Sequence, residues 1–481
     1  MSRRRMTKRA ALALPLTLAL GACAVVGPNF QRPAAPGAPA YAMAGDAGAP
    51  AVRLSPDVRT AGAWWLALGS PELDQTIRLA LAGSPTVAEA DATLQKLQAE
   101  TASAQGALGP QVDGSAGAQR ERINTQSFGF TGFPSPTINL YSIGGTVSYD
   151  LDLFGGGKRR LEAARARTQA QVSRVDAAYL TLTGNVAMQA VKIAALRAEL
   201  DALDAIVADD QRTVDMVGKA QAIGGAAPSD LTVGRGDLAR DAALRPAVER
   251  DLALARHQLA LLVGRTPSDW AAPDFSQAGF TRPAEIPVGL PSSLVRQRPD
   301  ILAAEAELHA ATADVGVATA SLYPNIRLTA GLTQGSIQPE NIFRYDSTGW
   351  NLAGGLTAPI FNGGRLKAGQ HAAQAEARAA LARYNGTVLR AFVQVSDALA
   401  ALAEDDKAIA ALVGVQSVQE SRLKDARAAY SLGGGTLLSV ISAERDLAKS
   451  RRDLVNAQGR RDQDLVSLLV ATATNWKPAN S

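Results

Sequence analysis

The sequence predicts a mainly α-helical protein with a smaller share of β structure, arranged as two internal repeats. The first observation is an apolar seam from Val172 to Val217, in which apolar residues recur in steps of three and four. The second is that the same order of landmarks returns about 210 positions later. The third is a pair of segments in each half whose side chains alternate between apolar and small polar. These patterns predict long paired helices and four short strands.

The N-terminus has the pattern of a bacterial export signal. Five Lys and Arg residues between positions 3 and 9 precede an apolar run of about 13 residues, which is shorter than the roughly 18 residues of a spanning helix. We therefore expect residues 1–22 to be removed, and no later stretch of sequence meets that length. Leu20-Gly21-Ala22-Cys23 resembles the bacterial lipoprotein box, in which the cysteine is acylated. The alternative for Cys23 is an ordinary buried thiol.

Removal of the signal changes the charge balance. The full chain has 49 Lys and Arg against 45 Asp and Glu, and the signal holds five of the cations and no acid, so the mature chain has a net charge of −1. This balance gives no reason to expect nucleic-acid binding. Cys23 is the single cysteine, which excludes an internal disulfide and a cysteine metal cluster. The three histidines are isolated, so we expect no metal site, no cofactor and no catalytic residues.

The elements of the first half follow from local signals. Residues 23–69 are rich in proline and lack a period, which predicts an extended arm. Serine–proline pairs then open two helices, with serine as N-cap and proline at the first helical position. A glycine run launches the long helix, and a Gly-Gly turn ends it. The expected elements are helices from Pro71 to Leu81, Pro85 to Leu108, Gly155 to Ala222 and Pro228 to Val263, and strands within Gln111 to Phe128 and Ile138 to Leu153.

The second half repeats this order after a proline-rich linker. Phe154-Gly155-Gly156-Gly157-Lys158 corresponds to Phe361-Asn362-Gly363-Gly364-Arg365. Strands are expected around Ile326 to Thr333 and Trp350 to Ile360, and a second long helix from Arg365 to Leu432. The predicted organisation is a signal peptide at 1–22, the arm at 23–69, repeat 1 at 70–265, the linker at 266–291, repeat 2 at 292–472 and a tail at 473–481.

The alternating segments point to a membrane barrel that one chain cannot complete. One face of each segment is apolar and the other is small and polar, as in a strand between lipid and water. A sheet in hydrocarbon leaves no open edge, and bacterial barrels have at least about eight strands. Four strands per chain therefore predict that several chains share one barrel. A soluble sandwich with its apolar face inward is the alternative.

Two stretches of sequence resemble the TolC-like outer membrane factors, specifically the lipidated NodT-type branch that serves resistance-nodulation-division (RND) efflux pumps. They are Cys23-Ala24-Val25-Val26-Gly27-Pro28-Asn29-Phe30-Gln31-Arg32-Pro33 and Gly289-Leu290-Pro291-Ser292-Ser293-Leu294, followed by Arg298-Pro299-Asp300-Ile301. The resemblance implies a homotrimer anchored to outer membrane lipid through Cys23. It also implies a twelve-stranded outer membrane β-barrel that continues as a long periplasmic α-helical barrel, and partners that are a periplasmic adaptor (membrane fusion) protein and an inner membrane RND pump.

The same resemblance assigns roles to the helical turns. The glycine turns at Gly224-Gly225 and Gly433-Gly434-Gly435 are the expected adaptor contacts. In the family, the turn into the last helix carries two acidic residues at the closed mouth. Here Ser439 and Ser442 hold those places, so we expect a gate closed by Leu437, Leu438 and Val440, with weak block by cations. The alternative is that these are ordinary helix positions.

The expected function is therefore conduction of drugs or other small molecules, without enzymatic activity. An exit duct of a secretion system has the same architecture and is a near alternative. A coiled-coil lipoprotein scaffold without a pore is an alternative of a different class.

Overall fold

The computed structural model describes residues 25–34, 41, 63–129, 132, 134–283 and 291–472. Cys23, the signal peptide and the tail at 473–481 lie outside the described residues, as do parts of the arm and of the linker. The chain divides into two compact units, and each takes segments from both halves of the sequence. Unit 1 comprises Met1–Pro33, Thr93–Gln171 and Ala303–Tyr384, and unit 2 comprises Ala34–Ala92, Val172–Leu302 and Asn385–Ser481.

Nine α-helices and four strands are described. The helices are α1 (Pro71–Gly83), α2 (Pro85–Gly106), α3 (Gly156–Ala222), α4 (Pro228–Ala242), α5 (Arg245–Leu262), α6 (Pro291–Gln297), α7 (Pro299–Ala320), α8 (Arg365–Ser431) and α9 (Leu437–Thr472). The strands are β1 (Gln111–Arg122), β2 (Thr137–Asp150), β3 (Asn325–Ser336) and β4 (Thr348–Thr357). Both long helices, α3 and α8, have 67 residues.

The start of α1 uses the expected cap, and the start of α3 uses a cap that the sequence analysis did not predict. Ser70 accepts a hydrogen bond from the Leu73 backbone N–H at 3.3 Å, and Pro71 occupies the first turn of α1. At α3 the cap is Asp152, whose carboxylate accepts the backbone N–H groups of Gly157 at 2.8 Å and Lys158 at 2.9 Å. Asp152 has a positive φ of 45°. This conformation ends β2 at Asp150, so the expected extension of the strand to Leu153 is wrong.

Two other boundaries differ from expectation. The return helix predicted from Pro228 to Val263 is divided into α4 and α5, because Pro246 has no backbone N–H and its ring crowds the carbonyl four residues earlier. The first strand ends at Arg122 instead of Phe128. A short 3₁₀ helix at Thr125–Phe128 follows, and the Asn124 side chain caps it by accepting the Gln126 N–H at 3.2 Å.

The apolar cores of the two units are thin and lie between helices. In unit 1, Leu308 and Ala311 of α7 pack against Ala380 of α8, with Phe30 of the arm beside them. In unit 2, Leu203 and Ile206 of α3 pack against Val248 of α5 and Ala448 of α9. These contacts account for the apolar seam in α3.

One described helix passes a length and composition test for a membrane span, contrary to the expectation from sequence. An 18-residue window of α8 has a mean hydropathy of 1.2, and 33% of that window is buried within the chain. Its apolar side chains serve partly as helix-packing contacts, as Val388 and Leu402 are fully buried.

Candidate functional site

The four strands form one antiparallel sheet in the order β1-β2-β3-β4. Residues directly opposite each other in antiparallel strands project from the same face. Val112 of β1 lies opposite Val147 of β2, which lies opposite Ala330 of β3, and Ala330 lies opposite Leu352 of β4. The register therefore places most of the apolar side chains of the four strands on one face, whereas Ile138 and Leu140 lie on the other.

This apolar face is solvent-exposed in the single chain. Trp350 and Leu352 are each 77% exposed, Val112 is 73% exposed and Leu356 is 67% exposed. Among the described residues no second layer covers the sheet, so the soluble-sandwich alternative does not apply to this chain alone. The opposite face carries Ser142, Gly144, Thr146, Ser148, Thr329, Gly331, Thr333 and Asn351.

The sheet is open at both sides. Strand β1 pairs only with β2, and β4 pairs only with β3, so the backbone groups along the outer sides of β1 and β4 have no strand partner in the described residues. Long, unprotected edges of this kind favour pairing with another chain. An apolar face and two open edges together are incompatible with a soluble, isolated sheet.

In unit 2 the Gly224-Gly225 turn and the start of α9 line one cleft of about 810 Å³. The second glycine turn, Gly433-Gly434-Gly435, lies just before α9 in the chain. Both turns close in the same way: Gly224 and Gly433 have positive φ values of 77° and 76°. The backbone N–H of Gly225 donates to the Ala220 carbonyl at 2.7 Å, and that of Gly434 donates to the Ala429 carbonyl at 2.9 Å. The cleft is also lined by Thr436, Leu437, Leu438 and Ser442. The structure therefore brings Gly224 and Gly225 of the predicted adaptor contact together with three of the predicted gate residues, whereas the second glycine turn does not line the cleft.

The predicted gate residues differ in exposure. Leu438 is 53% exposed, and Ser439 and Ser442 are exposed, whereas Val440 is only 7% exposed. Val440 packs against Leu423 of α8 within the helix pair. The Ser439 hydroxyl donates to the Thr436 carbonyl at 2.6 Å, and its backbone N–H donates to the Thr436 hydroxyl at 3.2 Å. The Thr436 side chain therefore caps the start of α9, and the Ser439 hydroxyl is occupied within this first turn.

A carboxylate cluster lies beside this cleft, and sequence analysis left it unassigned. Asp210 of α3 is 8% exposed, and its Oδ2 accepts no hydrogen bond from the described residues. Arg445 of α9 forms an ion pair with Asp237 and approaches Asp241 at 3.5 Å. Burial raises the pKa of the Asp210 carboxyl to about 6, and the Asp241 carboxylate adds to the rise. The sequence indicated this cluster only through Asp210, an acidic residue within the apolar seam of α3.

The arm of unit 1 is held against α3. Arg159 donates to the backbone carbonyls of Val26 at 3.2 Å and Gly27 at 3.3 Å, and to Asn29 Oδ1 at 2.7 Å. The Val26 N–H donates to the Phe154 carbonyl at 3.1 Å, which fixes the arm where β2 gives way to α3. The predicted lipidation residue, Cys23, lies three residues before Val26.

The described residues contain no cluster of three or more His, Cys, Asp and Glu that could hold a metal ion. His309 stacks on Phe30 with ring centroids 4.5 Å apart, and its Nε2 lies 2.9 Å from Glu162 Oε1. This histidine therefore has a packing role beside the arm.

Comparison with known proteins decides the family. Residues 76–265 and 290–474 match the family model for outer membrane efflux protein. The chain belongs to this family.

The similarity extends over whole chains. The pyoverdine export outer membrane protein OpmQ of Pseudomonas putida is 32% identical over 485 residues, covering 96% of this chain and 97% of OpmQ. The probable outer membrane lipoprotein SilC of Salmonella typhimurium is 27% identical over 474 residues, covering 98% of this chain and all of SilC. The outer-membrane channel OprN has the same fold, with a TM-score of 0.86 at 24% identity, over 94% of this chain and 100% of OprN.

Family membership confirms the resemblance seen in the sequence. Members are outer membrane channels of tripartite efflux pumps in Gram-negative bacteria, and they include lipoproteins. They are channels and not enzymes, and they work with an adaptor and an inner membrane pump. Membership in this family favours the channel over the scaffold without a pore.

Proposed function

We propose that three copies of this chain form the outer membrane exit duct of an RND-type tripartite efflux system. The observation that carries this proposal is the sheet with one apolar face and two open edges. Each unpaired backbone group in hydrocarbon costs several kcal/mol, so β1 of one copy pairs with β4 of the next. Three copies supply twelve strands, above the minimum of about eight for a bacterial barrel.

The helices of unit 2 also carry exposed apolar side chains. In unit 2, α8 exposes Leu389 (60%), Val393 (55%) and Val418 (65%). Leu389 and Val393 are four residues apart and therefore lie on one side of the helix. Contact with the helices of neighbouring copies would remove this apolar surface from water. We propose that the long helices of three copies form the α-helical barrel through the periplasm.

The gate is proposed at the cleft between the Gly224-Gly225 turn and the start of α9. Because Val440 is buried against Leu423, the side chains available for closure are chiefly Leu437 and Leu438. Ser439 and Ser442 place hydroxyl groups, not carboxylates, near the mouth. A ring of carboxylates attracts cations, whereas a ring of hydroxyls carries no charge.

The glycine turns themselves are the proposed adaptor contacts. Gly224, Gly225 and Gly433 are exposed, and a Cβ at Gly224 or Gly433 would meet no atom within 4 Å. The turns therefore present open backbone that a helical hairpin of the adaptor can approach closely. Cys23 is the proposed acylation site, and the segments 70–265 and 292–472 are the proposed repeats.

The cargo is proposed to be drugs or other small molecules that the pump has already selected. OpmQ is named for pyoverdine export. Because OpmQ is 32% identical to this chain, we include secreted small metabolites in the proposed cargo class.

The duct is tested with the full-length, lipidated protein purified from outer membranes. We expect a trimer that resists mild SDS, mobility that changes on heating, and stepwise conductance in planar bilayers. A monomer without conductance would refute the proposal.

The uncharged mouth is tested by substitution of Ser439 with aspartate. In single-channel recordings, trivalent cations should block the unmodified channel weakly and the S439D channel at least about tenfold more strongly, since three added carboxylates would ring the mouth. S421D, at an exposed position twelve residues before Gly433, is the control for added charge. Strong block of the unmodified channel would contradict the proposed gate.

A further inference from the structure

The two faces of the sheet differ in charge as well as in polarity. Arg120 and Arg122 share the parity of Val112 and therefore lie on the apolar face, opposite Asn139 and Thr137 of β2. They are the only charged residues of the four described strands on that face. The opposite face carries three acids and one cation, namely Asp113, Glu121, Asp150 and Arg327.

Both arginines lie at the far border of the apolar surface. Arg120 is nine positions beyond Gln111, which is about 30 Å along a strand at about 3.3 Å per residue. With a strand tilt of about 40°, the height is roughly 23 Å, close to the apolar band of about 25 Å in outer membrane barrels. Tyr141, opposite Ala118, lies one step before Arg120 on the same face. Aromatic residues of this kind mark a membrane–water interface.

The direction of the strands identifies the membrane leaflet. Helix α3 follows the C-terminal end of β2, and helix α8 follows the C-terminal end of β4. The arm that leads to Cys23 is hydrogen-bonded to Phe154, just after β2. The end of the sheet where β2 and β4 finish is therefore the periplasmic, lipid-anchored end. Arg120 and Arg122 lie at the opposite end of β1. They therefore face the headgroups of the outer leaflet.

Neither arginine has a partner in the part of the chain that the structure describes. Both are exposed, and among the described residues neither forms a hydrogen bond or an ion pair. A guanidinium group matches the two oxygens of a phosphate with two parallel N–H bonds, and this pairing is favoured where water is scarce.

We propose that Arg120 and Arg122 bind the phosphate groups of glycolipid in the outer leaflet, with lipopolysaccharide as the ligand. This site rests on the proposed function, because it requires the apolar face to contact lipid. The trimer would carry three such pairs, each on an edge strand beside the joint between two copies. Lipid bound there would bridge the joint on its outer side.

The test measures glycolipid binding to the purified full-length trimer in detergent by native mass spectrometry. The probes are lipopolysaccharide of the deep-rough type and the same lipid after removal of its phosphates. The unmodified protein should bind the phosphorylated form at least about tenfold more tightly. R120Q/R122Q should lose this preference, and R120K/R122K should keep part of it. R344Q is the control, since Arg344 lies in the β3–β4 loop and approaches Asp346 at 3.7 Å.

Several outcomes would overturn the site. Equal binding of both lipids by the unmodified protein would do so without any substitution, and so would an unchanged preference in R120Q/R122Q. Conductance of the unmodified protein is measured on the same sample. A conducting trimer without phosphate preference refutes this inference alone, whereas a protein that neither assembles nor conducts refutes the proposed duct.

Discussion

Asp210 shows how a single side chain can make a helical packing sensitive to pH. It occupies a seam position of α3, where its neighbours along the seam are apolar, and it faces Asp237 and Asp241 of α4 and Arg445 of α9. Arg445 is committed mainly to Asp237. The buried Asp210 carboxylate therefore retains the cost of burial and the repulsion from Asp241 when it is ionised.

The sign of the effect follows from the raised pKa. An acid whose pKa is raised to about 6 by folding destabilises the folded state above pH 6, and this penalty disappears as the pH falls toward the ordinary value of 3.8. We expect D210N to raise stability by about 1–2 kcal/mol at pH 7.5 and by about a third as much at pH 4.5. Apparent melting temperatures at the two pH values provide the measurement.

The control for this change is its sequence neighbour. Asp209 lies on the surface and pairs with Arg212, so D209N should shift the melting temperature by a small amount that is similar at both pH values. A stabilisation by D210N of equal size at both pH values would show that the titration of Asp210 has no part in it.

At the scale of elements, each strand has one face that is proposed to contact lipid and one that is proposed to contact water. Leu352 and Asn351 are adjacent in β4, and the register places them on opposite faces. An arginine on the lipid face near the midplane costs about 2–4 kcal/mol, whereas an arginine on the water face is tolerated. L352R should therefore reduce the amount of folded protein in the outer membrane severalfold, and N351R should not.

Heat-modified mobility in gels of outer membrane fractions measures folded protein for both variants. Because the two substitutions introduce the same side chain at neighbouring positions, N351R controls for added charge and bulk. Loss of folding in N351R with normal folding in L352R would reverse the assignment of the faces.

At the scale of the whole molecule, the open edges determine the assembly. Within one chain, β1 and β4 are separated by two strands, which places them about 14 Å apart at about 4.8 Å per strand spacing. A disulfide requires Cα atoms within about 7 Å. A bond between the two edges can therefore form only between copies.

Ala116 and Leu352 both lie on the apolar face, one on each edge strand. Mild oxidation of A116C/L352C should give a ladder of linked chains that ends at three. The pair A116C/G354C, one step along the same face of β4, tests the neighbouring register. The single variant A116C should give no ladder. A ladder beyond three would contradict the closed trimer, and absence of links in both pairs would exclude these two registers between copies.

The sequence by itself determined the elements and the family. Heptad spacing predicted α3 and α8 within one or two residues, and alternation located the four strands, because both patterns depend on neighbours close along the chain. The chain's own segments also carried the resemblance that the family match confirmed. The break before Pro246 and the cap at Asp152 are local as well, although the sequence reading missed them.

Only the tertiary structure decided how distant residues meet. The register places residues about 190 positions apart, such as Ile143 of β2 and Gln334 of β3, side by side. It thereby created one apolar face and isolated Arg120 and Arg122 on it. Helix packing buried Val440 and brought Asp210 beside Asp241 and Arg445. Such contacts depend on pairing across the fold, where the energies of many weak contacts are summed, and no local pattern in the sequence specifies them.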